Sequence, residues 1–275
     1  MRRILIRLAA CALAAVALVG SLRAGALDHE YRAYATLLHD HVHAAAVDYT
    51  ALKEHGAALA EVMATFAEPT AAEERAWTRD QRLAFWINAY NLFTLRAIVD
   101  HYPIRSAWLT LQPRNSIRQI DGVWTTLSWP AAGRTVTLDE VEHRILRPEF
   151  KEPRVHFAIN CASIGCPPLS TQPYRPATLS EQLDAAARRY LASVQGLQVR
   201  GDTLRVSRIL EWYGEDFVAG FAPDAAGTPD RLERVARAVV VRFGPPAAAD
   251  LARRSSTRIM YLDYDWSLND ERARQ

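Results

Sequence analysis

Between Gln81 and Val99 the chain reads Gln-Arg-Leu-Ala-Phe-Trp-Ile-Asn-Ala-Tyr-Asn-Leu-Phe-Thr-Leu-Arg-Ala-Ile-Val, with apolar side chains at almost every helical angle. A helix that is apolar all round must be covered on every side. The fold therefore has to place residues 80–100 at its centre, with Pro103 as the stop. Asn88 and Asn91 stand three apart and share one face of that helix. Buried carboxamides are costly unless hydrogen-bonded. Two uses follow: they tie down the backbone of a neighbouring loop, or they orient a catalytic group or donate to an oxyanion.

The other elements are assigned around this helix. Residues 28–68 carry a helical rhythm through Tyr31, Tyr34, Leu37 and Leu38, with an extended break at Val47-Asp48-Tyr49. His39, His41 and His43 alternate, and i, i+2 positions on a helix do not converge on a metal. Residues 116–137 suit short strands with turns at Asp121-Gly122 and Ala132-Gly133. Thr137-Leu138-Asp139-Glu140 is a capping box opening a helix to Arg147, which Pro148 closes. Val155–Asn160 reads as a central strand. Thr178 and Glu181 open a further helix, Leu197–Val206 is a hairpin turning at Gly201-Asp202, Thr228-Pro229 starts a helix to Phe243, and Ile259–Tyr264 is the last strand. With 49% hydrophobic and 23% charged residues and no dividing linker, residues 27–275 make a single α+β domain, with buried helices packed on a small mixed or antiparallel sheet.

Residues 1–26 have the form of a signal peptide. Arg2, Arg3 and Arg7 precede an apolar run from Leu8 to Gly20, and Ala24-Gly25-Ala26 suits cleavage. Losing four arginines of the 33 basic residues against an unchanged 31 acids turns a net charge of +2 into −2. The remainder has no basic excess for nucleic acid and no run long enough for membrane insertion. The expected location is periplasmic or secreted.

Chemistry concentrates in Val155–Leu169, which holds Cys161 and Cys166. An oxidising compartment favours a disulfide between them. A second reading makes Cys161 a nucleophile with His143 as base and Asp139, Asp263 or Asp265 as orienter. Asp139, His143 and Arg147 fall at i, i+4 and i+8 on one helix face. A third groups His143, His156, Cys161 and Cys166 around zinc. A fourth leaves two buried thiols as core filling. In the nucleophile reading Cys161, His143, Asp139, His156, Asn88 and Asn91 are catalytic candidates. Arg147 and Arg154 then receive a substrate carboxylate. No cofactor is called for.

Several stretches together resemble one bacterial and plant family, catalogued as domain of unknown function 547. They are Ala84–Asn91, Leu138–His143 with Leu146-Arg147, Pro153–Ala158, Asn160–Ser163, Cys166–Leu169, Trp212-Tyr213 with Asp216-Phe217, and Tyr264–Asn269. One departure is Ala44-Ala45-Ala46, where a glycine is expected in the turn. The resemblance implies a secreted bacterial member and no established reaction. The expectation is a cysteine-dependent hydrolase or acyl transferase acting on a small-molecule, peptide or protein partner. The alternative is a non-catalytic binding module in which a Cys161–Cys166 disulfide braces the loop and Trp108, Trp124 and Trp129 form an exposed partner surface.

Overall fold

The computed structural model describes residues 27–105, 110 and 112–274; the expected signal peptide and Trp108 lie outside them. Helices α1 (Arg32–His41), α2 (Tyr49–Glu54), α3 (Gly56–Ala67) and α4 (Ala71–Ala76) lead to α5 (Arg79–His101). Thr78 and Gln81 form a capping box that starts α5. Every residue of α5 from Leu83 to Leu95 is buried, as the all-round apolar pattern requires. Strands β1 (Val42–His43) and β2 (Ala46–Val47) make a two-residue hairpin whose turn is Ala44 at φ 43° and Ala45 at φ 69°. Such a turn needs positive φ at both central positions. The departure from glycine therefore costs alanine strain of about 1–2 kcal/mol at each residue.

The pair β3 (Ser128–Ala131) and β4 (Arg134–Thr137) turns at Ala132-Gly133 and feeds the Thr137–Glu140 capping box. Helix α6 (Leu138–Glu140) then passes directly into a π-helix, Val141–Phe150. The sequence places the stop at Pro148, but the helix runs through it. A proline ring collides with the carbonyl four residues back in an α-helix, and the i→i+5 winding of a π-helix relieves that approach.

The strand expected over Val155–Asn160 is absent. Pro153–Phe157 is a 3-10 helix begun by Glu152, whose carboxylate accepts the Arg154 N–H, and an irregular loop follows. A short apolar run buried on both sides has the pattern of a central strand, so periodicity could not separate the two. Helix α7 (Leu179–Leu191), strands β5 (Leu197–Arg200) and β6 (Thr203–Val206), helices α8 (Ile209–Trp212), α9 (Gly214–Phe221), α10 (Arg231–Phe243) and α11 (Pro246–Ala252), and strand β7 (Arg258–Tyr261) complete the chain. β5 and β6 are antiparallel, and β7 joins β6 in parallel. The fold is one α+β domain, mostly helical, with three small sheets rather than one among the described residues.

Two apolar clusters share the stretch that follows Pro153. Val155, Ala158, Ile159 and Ala162 belong to the cluster around α5, while Phe157 belongs to the one built on Tyr190, Phe217 and Phe243. The loop after Phe157 is fixed from both sides. From α5, Asn91 Nδ2 donates to the Ala158 carbonyl (3.0 Å) and its Oδ1 accepts the Asn160 N–H (2.8 Å). Asn88 pairs in the same two-way fashion with the backbone of Tyr174. From the other side the C-terminal segment lies along the loop. Ile164 N–H reaches the Ser267 carbonyl, Gly165 N–H the Asp265 carbonyl, and Asn269 N–H the Ala162 carbonyl. Gly165 is required by this approach, because a Cβ would stand 2.9 Å from the Asp265 nitrogen. The two carboxamides thus serve as backbone ties, the first of the two uses, with the Nδ2 and Oδ1 of each engaged by the chain.

Replacing Asn91 by leucine leaves two buried backbone groups unpaired. A loss of about 2–5 kcal/mol is expected, read as a lower urea midpoint with an unchanged slope. An unchanged midpoint would show that the loop holds its shape without this pin.

Candidate functional site

A cavity of about 620 Å³ opens among the π-helix, the Cys161 loop, the α8–α9 junction and the C-terminal segment. Its lining includes Cys161, Cys166, His143, His156, Asp139 and Arg147. Separate parts of the sequence therefore converge on one space.

Cys161 sits half-buried in the cavity wall, and both cysteines are free thiols. Their Sγ atoms are 2.8 Å apart in a hydrogen bond, so the covalent link expected from the compartment is not formed here. The Cys161 Sγ also lies 3.2 Å from Ser163 Oγ and 3.3 Å from Tyr264 Oη. The Cys166 hydrogen bond, followed by those of Ser163 and Tyr264, outweighs burial and lowers the Cys161 thiol to about 7. Burial and the adjoining Cys161 push Cys166 the other way. Cys161 therefore loses its proton more readily than Cys166. The backbone supports the asymmetry. Cys161 N–H donates to Cys166 Sγ (3.0 Å), and Ala162 is held at φ 58° with its N–H on Asn160 Oδ1 (2.9 Å). Asn160 Nδ2 closes the loop on the Pro167 carbonyl.

Neither imidazole is hydrogen-bonded to Cys161. His143 is exposed; its Nδ1 accepts from Arg147 Nη1 (2.9 Å), which places its proton on Nε2, 3.8 Å from Asp139 Oδ1. The helix-face pairing expected from sequence is formed, but it occupies the lone pair a base would need. Asp263 and Asp265 are exposed and do not orient His143. His156 is arranged differently. It is buried, stacked on Tyr213 with ring centroids 3.8 Å apart, and its Nε2 donates to Asp216 Oδ2 (2.8 Å). Its Nδ1 is buried with no partner. Burial lowers its pKa against the opposing pull of Asp216, so the ring is neutral at pH 7 with a free lone pair.

Asp216 was not found from sequence. Burial pushes its carboxyl up, but hydrogen bonds from His156 and Arg147 prevail and hold it well below the usual carboxylate range. Arg147 grips it at two points, Nε–Oδ2 2.6 Å and Nη2–Oδ1 3.2 Å. That pairing engages the guanidinium assigned to a substrate carboxylate. Arg154 is a clearer correction. It lies outside the cavity lining, bound to Glu152 and Asp184. The only signal for Asp216 was its place in the Trp212–Phe217 motif, on a helix far along the chain.

The exposed tryptophan surface also fails. Trp129 is buried and stacked on Phe93, and Trp124 is half-buried, packed on the core and lining the cavity. Among the described residues no group of three or more His, Cys, Asp or Glu side chains could hold a metal ion, which removes the zinc grouping of His143, His156, Cys161 and Cys166. No helix among the described residues is long and apolar enough to cross a membrane.

Residues 74–191 match the model of a family described as "Protein of unknown function, DUF547". The match supports the family resemblance read from the motifs. It spans α5 and both cysteines but ends before Asp216 and Tyr264. No curated protein and no solved structure matches the chain.

Two outcomes test this geometry. Alkylation of Cys161 by iodoacetamide should reach half its limiting rate near pH 7. Cys166→Ala should move that midpoint upward, since it deletes the hydrogen bond that favours the thiolate; a midpoint unmoved by the change would refute the assignment. Asp216→Asn should cost stability at neutral pH. The folded-state pKa of Asp216 lies below its ordinary value of 3.8, so its contribution is present above that pH and lost as pH falls through the folded value. The two unfolding midpoints should therefore converge in strong acid.

Proposed function

We propose that the cavity is a thiol-dependent acyl-transfer or hydrolysis site with Cys161 as the nucleophile. The observation that carries this reading is the environment of one sulfur. It is half-buried on a concave wall, in hydrogen-bond contact with Cys166, Ser163 and Tyr264, and lowered toward neutrality. The thiolate attacks an acyl carbon, forming a thioester as the bond to the leaving group breaks, and the leaving group departs as an anion or takes its proton from solvent. Water or another acceptor then attacks the thioester and restores the thiol. His156, neutral and with an open Nδ1, is the group suited to take the proton of that acceptor, and Asp216 holds its tautomer. We further propose an exported bacterial protein, periplasmic or secreted, on the strength of the leader-like residues 2–26.

The disulfide-braced binding module remains the rival, favoured by the short Sγ–Sγ approach. The two readings separate on p-nitrophenyl acetate. A catalytic thiol should carry an acetyl group at Cys161, formed at least about tenfold faster than on a free thiol of the same pKa and absent from Cys161→Ser. Acetylation no faster than that of the free thiol would leave the binding module.

A further inference from the structure

One carboxylate in the cavity, Glu142, interacts with the Tyr213 hydroxyl but keeps one oxygen unpaired. Glu142 is only 5% exposed, lines the cavity from the π-helix, and its Oε1 has no hydrogen-bond partner. The unpartnered Nδ1 of His156, a residue 2% exposed, belongs to the same lining. Two buried acceptors thus serve one space. Buried polar atoms are almost always satisfied, and a carboxylate left without a partner in a dry site is costly.

Arg147 attracts Glu142 through space, but no cation of the cavity hydrogen-bonds to Oε1. Arg147 is bound to Asp216 and His143. Arg118 is exposed at the mouth, stacked over Trp266 at 4.7 Å. The other acid of the π-helix face, Asp139, is 42% exposed at its side chain and faces His143. The unmet demand is therefore for hydrogen-bond donors carrying positive charge. The approach is aromatic: Trp124 and Trp212 line it, and Trp212 is 45% exposed. Ring faces attract an ammonium group as it sheds water.

We infer that this cavity binds a primary ammonium group, which donates to Glu142 Oε1 and His156 Nδ1 behind an aromatic entrance. The ligand class is an amine joined to an apolar or aromatic body, such as a free amino group of a peptide or a small aralkylamine. The inference shares His156 Nδ1 with the proposed acyl-transfer site, where bound ammonium would compete for that lone pair, but it needs no thiol, because neither acceptor is a sulfur.

The test uses benzylamine, benzyl alcohol and benzoate as probes of matched shape, titrated into the mature chain and followed by tryptophan fluorescence and calorimetry. Benzylamine should bind at least about tenfold more tightly than benzyl alcohol, since only the ammonium forms charge-assisted bonds. Glu142→Gln should erase that preference, and Cys161→Ser should keep it, which separates this site from the proposed nucleophile. Equal binding of amine and alcohol, preference for benzoate, or no binding of any probe at millimolar concentration would each overturn the inference. The comparison of probes on the unaltered protein stands even if Glu142→Gln does not fold.

Discussion

A carboxamide in the middle of an apolar helix has to be answered by backbone, and in this protein Asn91 is answered by the loop that carries the thiol. Its two hydrogen bonds, to the Ala158 carbonyl and the Asn160 N–H, fix the chain on the N-terminal side of Cys161. Asn160 then passes the constraint on. Its Oδ1 takes the Ala162 N–H and its Nδ2 takes the Pro167 carbonyl, so the residues between have one shape. The positive φ of Ala162 is sustained by this frame, and strain of that kind persists only where the surroundings over-determine it. The C-terminal segment closes the other side through Ser267 and Asn269. A rigid surround of this sort is what a low-pKa thiol needs, because a mobile sulfur would lose its hydrogen-bond donors to water.

Charge in the cavity is arranged in two layers. The outer layer is Asp139, His143 and Arg147, which interact in series and end on the half-buried Asp216 behind the cavity wall. The inner layer is sulfur, hydroxyl and one neutral imidazole, with few formal charges. The outer chain matters to the inner one through a single bond, Asp216 to His156, which decides which ring nitrogen keeps its lone pair. Arg147 does its work here indirectly. By gripping Asp216 at two points it keeps that carboxylate charged and in place.

The central helix was legible in sequence because its physics is local and extreme: nothing but full burial suits that composition. The capping box at Thr137, the turn at Gly201-Asp202 and the hairpin it joins were legible for the same reason, as short patterns with a single good solution. The stretch after Pro153 was not. Its apolar run is buried by two different clusters, and burial without a partner strand looks the same in sequence as burial within a sheet. The structural use of Asn88 and Asn91 was anticipated, and so was the alignment of Asp139, His143 and Arg147. What sequence could not supply was direction. Arg147 turns its guanidinium to Asp216, sixty-nine positions away, and so takes His143 out of the role its spacing advertised. Ser163 and Tyr264 escaped notice as site residues because a hydroxyl near a sulfur leaves no spacing rule behind.

The wide-wound segment from Val141 to Phe150 has a bearing on how such a chain tolerates change in length. It is a stretch of helix carrying more residues per turn than the ordinary pitch allows. Excision of one residue between Glu142 and Arg147 would let it tighten to the common form, and everything beyond the cut would swing by about 100° around the axis. Arg147 would leave Asp216, Pro148 would face the carbonyl it now avoids, and the imidazole of His156 would be free to exchange its tautomer. Ile145, Leu146 and Phe150 would turn out of the cluster around α5 as well, so that one lost residue would disturb the core and the polar cavity together.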